Sequence, residues 1–413
     1  MHFHVRGDGV NSFWLEGLFV PNEQESAPEN CVPDNRGYES RVLVINPGST
    51  STKFGVFTRR GPEWVGIISH PDEELAKFRG MSALAQLEYR AAPLAAALKE
   101  AGYDLKQFAA VGGRGGLLPP MECGTYRVDG AMVEELRLAR RGEHACNLGA
   151  VLALKFATIA GVDAYIVDPV TVDEWQDCAR VSGLPLVPRS CIGHALNTKA
   201  VVRRFAAETG HTYAALRLVV VHMGSGITVS AHRDGRMIDN NTPEEGPFGP
   251  DRTGSLPVQG LVRLCCSGIY NAKQLNRMVF GEGGLFAYLG TRDLREVERR
   301  IDTGDAEARI VHDAMLYQIA KEAGAMAAVL EGKVDAVLLT GGMAHSERVV
   351  TRLRAYLDWI APVRIYAGED ELRALAEGVF RVLDGEEPAK RMRAREAVLA
   401  DTKRKGLVIG LEY

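Results

Sequence analysis

The chain has 413 residues, 46% of them hydrophobic and 25% charged, with a formal net charge of −4. That length exceeds one ordinary hydrophobic core and suits two domains. The composition is that of a soluble globular protein, and its slight acidity supplies no bulk basic field for nucleic acid.

No run reaches the roughly 18 apolar residues that a membrane-spanning helix needs. The opening Met1-His-Phe-His-Val-Arg6 lacks the basic, apolar and cleavage regions of a secretory signal. The 7 cysteines (Cys31, Cys123, Cys146, Cys178, Cys191, Cys265 and Cys266) are odd in number and contain no Cys-x-x-Cys. Neither a disulfide framework nor a zinc site is expected, and a reducing cytoplasm fits. His2 and His4 lack further ligands nearby and read as part of a disordered terminus.

Residues 1–40, rich in Asn, Glu, Pro and Gly, read as an irregular extension. Within them the apolar stretch 13–20 is a candidate for docking on the body or on a partner. Order begins with a strand over 42–45. A helix over 82–101 follows, with Ser82 as N-cap and Gly102 as stop. A strand over 108–111 enters the turn Gly112-Gly-Arg-Gly-Gly116, and a helical region over 131–159 is broken near Gly142. The strand 164–167 ends in Asp168-Pro169. After Ser190 comes another helical stretch, containing His194. A hairpin over 218–232, a Gly/Pro-rich loop over 240–257 and helices over 258–266 and 308–331 follow. The strand 336–340 runs into Gly341-Gly342, and helices over 346–359 and 370–384 flank a strand over 363–366. Strands alternating with helices predict an α/β architecture. The basic residues of 390–395 and 403–405 are interleaved with acids and read as a solvated tail.

Two segments resemble each other. One is Arg41-Val-Leu-Val-Ile-Asn-Pro-Gly-Ser-Thr-Ser-Thr-Lys-Phe-Gly-Val-Phe57, the other Leu218-Val-Val-Val-His-Met-Gly-Ser-Gly-Ile-Thr-Val-Ser-Ala-His232. Each is an apolar strand, a turn of small residues and a second strand, which suggests a duplicated domain. In the first turn, Asn46, Ser49, Ser51 and Lys53 offer donors and charge to a phosphate. The turn is no Walker A loop, and an ordinary tight hairpin reads the same way. In the second, His222, Gly224, Ser225 and Gly226 permit close backbone approach. The turn at Gly341 and Gly342 lies at the carboxyl end of a strand, where α/β proteins favour ligands, or is a plain connection.

Arg114 and Arg252 sit in glycine-rich loops that expose a guanidinium suited to phosphate or carboxylate. Either one alone also fits a surface arginine. His144 and His194 lie in helical regions as catalytic or structural histidines. Asp168 ends a strand, placed for metal or substrate or as a turn aspartate.

The ordered series resembles the butyrate kinases, within the acetate kinase group of the actin-like ATPase superfamily. It comprises the first turn, Val-Gly-Gly-Arg-Gly-Gly-Leu-Leu, Glu-His-Ala-Cys-Asn-Leu-Gly-Ala, Gly-His-Ala-Leu-Asn-Thr-Lys-Ala and His-Met-Gly-Ser-Gly-Ile. The loop Glu245-Gly-Pro-Phe-Gly-Pro-Asp-Arg-Thr-Gly-Ser-Leu-Pro257, Leu-Thr-Gly-Gly-Met-Ala and Gly368-Glu-Asp-Glu-Leu372 complete it, and together they span 41–385. The resemblance implies two ribonuclease-H-like (actin-like ATPase) domains with the active site in the cleft between them. It implies a first domain over 41–168, completed by a C-terminal helix over 371–385, a nucleotide-binding domain over 169–370 and a charged tail over 386–413. It implies Mg-ATP-dependent phosphorylation of a short-chain fatty acid to an acyl phosphate, reversibly, by a cytoplasmic homodimer. Carried over by position, Arg114, His194, Arg252 and Asp168 are the catalytic residues. Arg114, Gly116, His144 and Gly193 contact the acid. ATP lies on Asn46, Ser49, Ser51, Lys53, His222, Gly224, Ser225, Gly226, Gly341 and Gly342, and Mg²⁺ on Asp168 and an acid of the cluster Glu369-Asp370-Glu371, of which Asp370 is the best positional match. Gly115, Gly116 and Gly193 stand where acetate kinases place bulkier residues, which implies room for a four-carbon acid, butanoate or its branched isomer. Gly193 departs from the aromatic usual in butyrate kinases. The other readings are an acetate or propionate kinase and a non-catalytic actin/Hsp70-like nucleotide switch.

Overall fold

The computed structural model describes residues 40–393. The readings made for 1–39 and for 403–405 lie outside the described residues.

Two sheets form the frame. The first has strands β1 (Arg41–Pro47), β2 (Ser51–Thr58), β3 (Gly61–Ser69), β4 (Phe108–Arg114), β5 (Thr125–Arg127) and β6 (Asp163–Val167), ordered β3-β2-β1-β4-β6-β5. The second has β7 (Leu218–Met223), β8 (Ile227–Arg233), β9 (Arg236–Asn240), β10 (Ala336–Gly341) and β11 (Val363–Ala367), ordered β11-β10-β7-β8-β9. In each, an antiparallel three-strand meander is extended by two parallel strands. Strand for strand, β1-β2-β3-β4-β6 repeats as β7-β8-β9-β10-β11, so the chain is two ribonuclease-H-like halves. The central strands read as unbroken apolar runs because helices cover both of their faces: β7 and β10 are buried at every residue. β3, at an edge, alternates between covered and exposed positions.

The helices of the first half are α1 (Asp72–Ala76), α2 (Leu87–Glu100), α3 (Gly130–Leu138) and α4 (Leu148–Ala160). Then come α5 (Ala195–Thr209), α6 (Val258–Cys265), α7 (Ala272–Val279), α8 (Gly284–Leu289), α9 (Leu294–Asp302), α10 (Ala306–Val329), α11 (Glu347–Leu357) and α12 (Glu371–Leu383). One face of the first sheet packs on α2, α3 and α4 through Leu94, Leu98, Met132, Leu152 and Phe156. Its other face takes α12, whose Leu375, Val379 and Phe380 lie on Val42, Val44 and Val167. The last helix of the described chain thus belongs to the first sheet. α5 covers the inner face of the second sheet through Val201, Val202 and Phe205, and its Leu196 reaches the α12 cluster. α5 and α12 are therefore the two helices where the halves meet.

Several expectations change in detail. Ser82 does accept from the Leu84 N–H, but the helix opens with a 3₁₀ turn over Ala83–Gln86. The helical region 131–159 is two helices rather than one kinked rod. Ala139 is left-handed at φ 42, Gly142 has φ 112, and the chain restarts only at Leu148. His144 consequently lies in extended backbone, as a cap whose ring accepts from the Cys146 N–H, and not inside a helix. His194 is likewise the residue before α5. The solvated-tail reading fails for its first residues. Lys390 pairs its backbone with Thr125 and Arg127 beside β5, and Glu387 accepts from the Thr125 hydroxyl. β3, β5, β9 and helices α7, α8 and α9 were absent from the sequence reading.

The interior also holds histidines that must be neutral. Burial, then the Arg90 charge, lowers the His70 pKa to about 4. Burial and then Lys199 push His232 well below its ordinary value. A depressed histidine stabilises the fold fully above the unfolded value near 6.5 and loses that contribution as pH falls toward the folded one. The thermal midpoint should therefore fall steadily as pH is lowered from 7 to 4.5, followed by circular dichroism. A midpoint that is flat or rising over that interval overturns this assignment.

Candidate active site

Both halves end their central strands at one cleft. On the first-half side, β4 ends at Arg114 and β6 at Asp168. The backbone of Arg114 is fixed by glycines. A Cβ on Gly149 of α4 would stand 2.2 Å from the Arg114 carbonyl oxygen, and one on Gly113 would stand 2.2 Å from the Gly149 oxygen. Helix and strand touch backbone to backbone there, a contact only glycine allows.

The Arg114 guanidinium is largely covered, and burial pulls its pKa down. Its partner is Glu371, the first residue of α12, which also accepts from Asn46 Nδ2 at 2.5 Å. From the second half, the β7–β8 turn brings Gly226 against Arg252 and His194. An added Cβ there would stand 2.5 Å from Arg252 Nη1 and 3.0 Å from His194 Cε1.

His194 and His222 stack with ring centroids 4.0 Å apart. Thr228 Oγ1 lies 2.8 Å from His194 Nδ1, and Asn197 Oδ1 lies 2.8 Å from His222 Nδ1. Burial first, then His222, Arg114 and Arg252, push His194 far below its ordinary pKa, so it is a neutral imidazole. Burial, Arg114 and Arg252 also lower His144, which keeps an exposed edge. Arg114, Arg252, His144 and His194 thus share one electrostatic environment.

The acidic segment 369–371 divides its labour. Asp370 turns back to cap α12, accepting from the Arg373 N–H. Glu369 instead enters the cleft, 3.2 Å from His222 Nε2. It also fills the space beside Gly224, where a Cβ would stand 2.4 Å from its Oε1. His222, then Arg114 and Lys53, hold its carboxyl below the usual range against the opposing effect of burial. Asp168 differs from expectation as well. Its Oδ1 accepts from the Gly124 N–H at 2.7 Å and its Oδ2 from Arg203 of α5 at 2.7 Å. Burial opposes its ionisation, but Arg203 overrides that and lowers its pKa. Both oxygens of this buried carboxylate are committed to protein donors. Asp168 is an anchor between the halves and offers no uncommitted carboxylate oxygen, while Asp370 is exposed and lines the cleft-mouth cavity with Glu369 and Glu371. Among the described residues no group of three or more His, Cys, Asp or Glu is placed to hold a metal ion by itself.

Of the three glycines expected to enlarge the acid pocket, Gly115 and Gly116 leave no space and Gly193 leaves little. A Cβ on Gly115 would meet Pro169 Cβ at 2.4 Å, and one on Gly116 would meet Asn147 Oδ1 at 2.6 Å. At Gly193 the neighbours are Asn240 Nδ2 at 3.1 Å and Thr228 Cγ2 at 3.3 Å. At Gly115 and Gly116 the volume that a side chain would take is already filled by protein, so these two glycines serve packing and add no room for a longer acid; at Gly193 a side chain would need its neighbours to give by a few tenths of an ångström.

The first turn presents Ser49, Ser51 and Lys53 to the cleft mouth, where Asn46, Lys53, Glu369, Asp370 and Glu371 line one cavity of about 130 Å³. Gly341, at φ 87, packs against the Met223 carbonyl oxygen, and the space beside Gly342 is open. Ser225 is exposed at the tip of the second turn. Sequence reasoning named the cluster 369–371 without assigning Glu371 to Arg114 or Glu369 to His222, and it missed Asn197, Thr228 and Arg203. Asn197 lies in the first turn of α5, three positions after the cap residue His194, and its Oδ1 meets His222 Nδ1.

Residues 191–360 match the model of the acetokinase family, a span of under half the chain. Among solved structures, the chain is similar to an acetate kinase of Porphyromonas gingivalis, with a TM-score of 0.66 and 20% identity over 83% of this chain and 100% of that one. It is also similar to a propionate kinase of Francisella tularensis, with a TM-score of 0.65 and 17% identity over 82% of this chain and 98% of that one. An acetate kinase of Entamoeba histolytica gives a TM-score of 0.65 at 15% identity, over 82% and 98% of the two chains. At such identities the likeness is one of fold.

Proposed function

We propose that this protein is a carboxylate kinase that transfers the γ-phosphoryl group of ATP to a short-chain fatty acid, and the reverse. The observation that carries this reading is the convergence of Arg114 from one half with Arg252 and a neutral His194 from the other. The acetokinase match over 191–360 supports it, since that span contains His194, both glycine turns of the second half and Arg252.

The chemistry asks little of a base. A carboxylic acid is ionised at pH 7, so its oxygen is already a nucleophile. The obstacle is charge: a carboxylate must approach a polyanion. One carboxylate oxygen attacks the γ-phosphorus as the bond to the β–γ bridging oxygen breaks, and ADP leaves with that bond's electron pair. Arg114 gives up Glu371 to take the substrate carboxylate. Arg252 faces the transferring group from the Gly226 side. His194, with Thr228 donating to Nδ1, offers an Nε2–H to the equatorial oxygens and stays neutral. All three act by position and field.

Asp168 takes no proton in this scheme and holds Arg203 of the other half. ATP would lie on the first turn (Asn46, Ser49, Ser51, Lys53), the second turn (His222, Gly224, Ser225, Gly226) and the Gly341–Gly342 platform. A magnesium ion bound with nucleotide needs only one or two protein carboxylates, and Glu369 beside the second turn fits that need. The ion would neutralise charge on the phosphate oxygens.

Butanoate is the acid that the motif series favours. The filled glycine gaps favour the second reading, an acetate or propionate kinase. The test is acyl phosphate formation, trapped as hydroxamate, from Mg-ATP and acetate, propionate, butanoate or 2-methylpropanoate. Activity highest with four-carbon acids supports the butyrate-type reading, and activity highest with acetate or propionate supports the second. No product from protein that binds ATP leaves the nucleotide-switch reading.

A second copy of the chain is the proposed partner. α6 and α7 are strongly two-faced and bury no residue. Val258, Val262 and Ile269 are exposed by 70%, 50% and 71%. Helices of 8 residues do not hold by themselves, so this face needs cover. Sedimentation equilibrium should give a dimer, and Val262→Asp should give a monomer. A wild-type monomer removes the assignment.

A further inference from the structure

The first turn has an unusual foundation. Arg90 of α2 is 0% exposed, yet no carboxylate partners it in the hydrogen bonds it makes. Its guanidinium reaches under the turn instead. Nη1 donates to the Gly48 carbonyl at 2.8 Å, the Ser51 carbonyl at 3.3 Å and Thr52 Oγ1 at 3.1 Å. Nη2 donates to the Ser49 carbonyl at 3.1 Å. Gln86 Oε1 steadies the fork, accepting from Nε at 3.0 Å and Nη2 at 2.8 Å. The remaining carbonyl, Thr50, accepts from the His70 N–H at 2.8 Å, and His70 Nε2 meets Thr52 Oγ1 at 2.8 Å.

All four carbonyls of 48–51 are therefore drawn to the protein side. A peptide unit that turns its oxygen inward turns its N–H outward. The face left to solvent is Ser49 and Thr50, both exposed, with the Lys53 side chain beside them. A carbonyl oxygen on that face would repel a phosphate; its removal makes the turn a donor surface. Both turns close on themselves, the first through the Gly48 N–H to the Ser51 oxygen at 2.7 Å and the second through the Gly224 N–H to the Gly226 oxygen at 3.0 Å, and the arginine fork is added beneath the first.

We infer that Arg90 is a positioning residue for nucleotide: its buried guanidinium holds the carbonyls of 48–51 off the phosphates and fixes the first turn as a donor surface. This rests on the reading of the protein as an ATP-using kinase. Lysine cannot replace it, since one ammonium cannot span three carbonyls and a glutamine.

The experiment measures Mg-ATP binding by titration calorimetry in the full chain for wild type, Arg90→Lys and Gln86→Leu, alongside KM for ATP and for the acid. Expected is a Kd and KM for ATP raised by roughly tenfold or more in Arg90→Lys and by less in Gln86→Leu. The KM for the acid should stay within about twofold, because Arg114 lies on another strand. In Arg90→Ala, millimolar guanidinium should restore ATP affinity where urea does not. A merely structural arginine would move both KM values together or neither. Equal ATP affinity in folded Arg90→Lys and wild type overturns the inference while leaving the kinase reading intact. If Arg90→Lys does not fold, Gln86→Leu decides, and an unchanged Kd overturns the inference. Wild type that binds no Mg-ATP overturns both.

Discussion

Replacement of Arg252 by alanine should lower kcat by roughly 10²- to 10³-fold, the usual cost of removing one preorganised donor from a developing charge. The loop that carries Arg252 is held by backbone. Its carbonyl accepts from the Gly249 N–H at 3.0 Å, and the Gly249 carbonyl accepts from the Leu285 N–H at 3.0 Å. The side chain can therefore be removed without unmaking the loop, and the melting temperature should change little. Arg252→Lys should recover less than a tenth of the lost rate, because a point charge does not reproduce the planar fork. Arg114→Ala would be a poorer probe. It leaves Glu371 without its ion-pair partner, so lost activity would mix charge repulsion with lost binding. Steady-state rates at saturating acid and ATP decide the matter. An Arg252→Ala enzyme with wild-type kcat removes Arg252 from the transferring group.

The second large effect lies outside the cleft. Gly149→Ala introduces a Cβ 2.2 Å from the Arg114 carbonyl oxygen and 2.8 Å from its nitrogen. The obstacle is backbone on a central strand, which cannot swing aside as a long side chain would. α4 must lift from β4, with Leu152, Ala153 and Phe156 losing contacts in the first-half core. The loss should be at least about 3 kcal/mol, the upper part of the range for overpacking. A urea midpoint lowered accordingly supports the backbone contact. A variant of wild-type stability would mean that helix and strand do not approach as closely as described.

The sequence made the central strands and both turns legible because their signals are local. Val42 to Ile45 and Val219 to Val221 are apolar runs followed by small residues, and burial on both faces requires such runs. β3 and β5 were missed for the opposite reason. An edge strand such as Gly-Pro-Glu-Trp-Val-Gly alternates weakly and draws its stability from pairing with β2. Helices α7, α8 and α9 fell inside a Gly-rich stretch whose short helices owe their limits to caps such as Asn271 and Asp293. Within the site, residues next to glycine were visible and residues that act on them were not. Nothing near Glu371 in sequence announces Arg114, which lies 257 positions earlier. Arg203 looked like any helix-surface arginine until the fold set it on Asp168. The expectation of space at Gly115 and Gly116 has the same origin: sequence shows that a side chain is missing, and only packing shows what took its place.

The repeated order of strands has a further consequence. β4 and β10 occupy the same station in their halves, as do β6 and β11. At those stations the first half ends in Arg114 and Asp168, while the second ends in the bare turns at Gly341–Gly342 and Gly368. On one copy of the common scaffold the charge stands on the strand end itself, and on the other it follows the bare turn, at Glu369. In the proposed reading both modules meet polyphosphate through their paired turns, while a strand-end arginine for the acceptor acid belongs to the first alone. A lineage, or an engineer, can then retune the acceptor by altering the strand ends of the first module while leaving the paired turns unchanged.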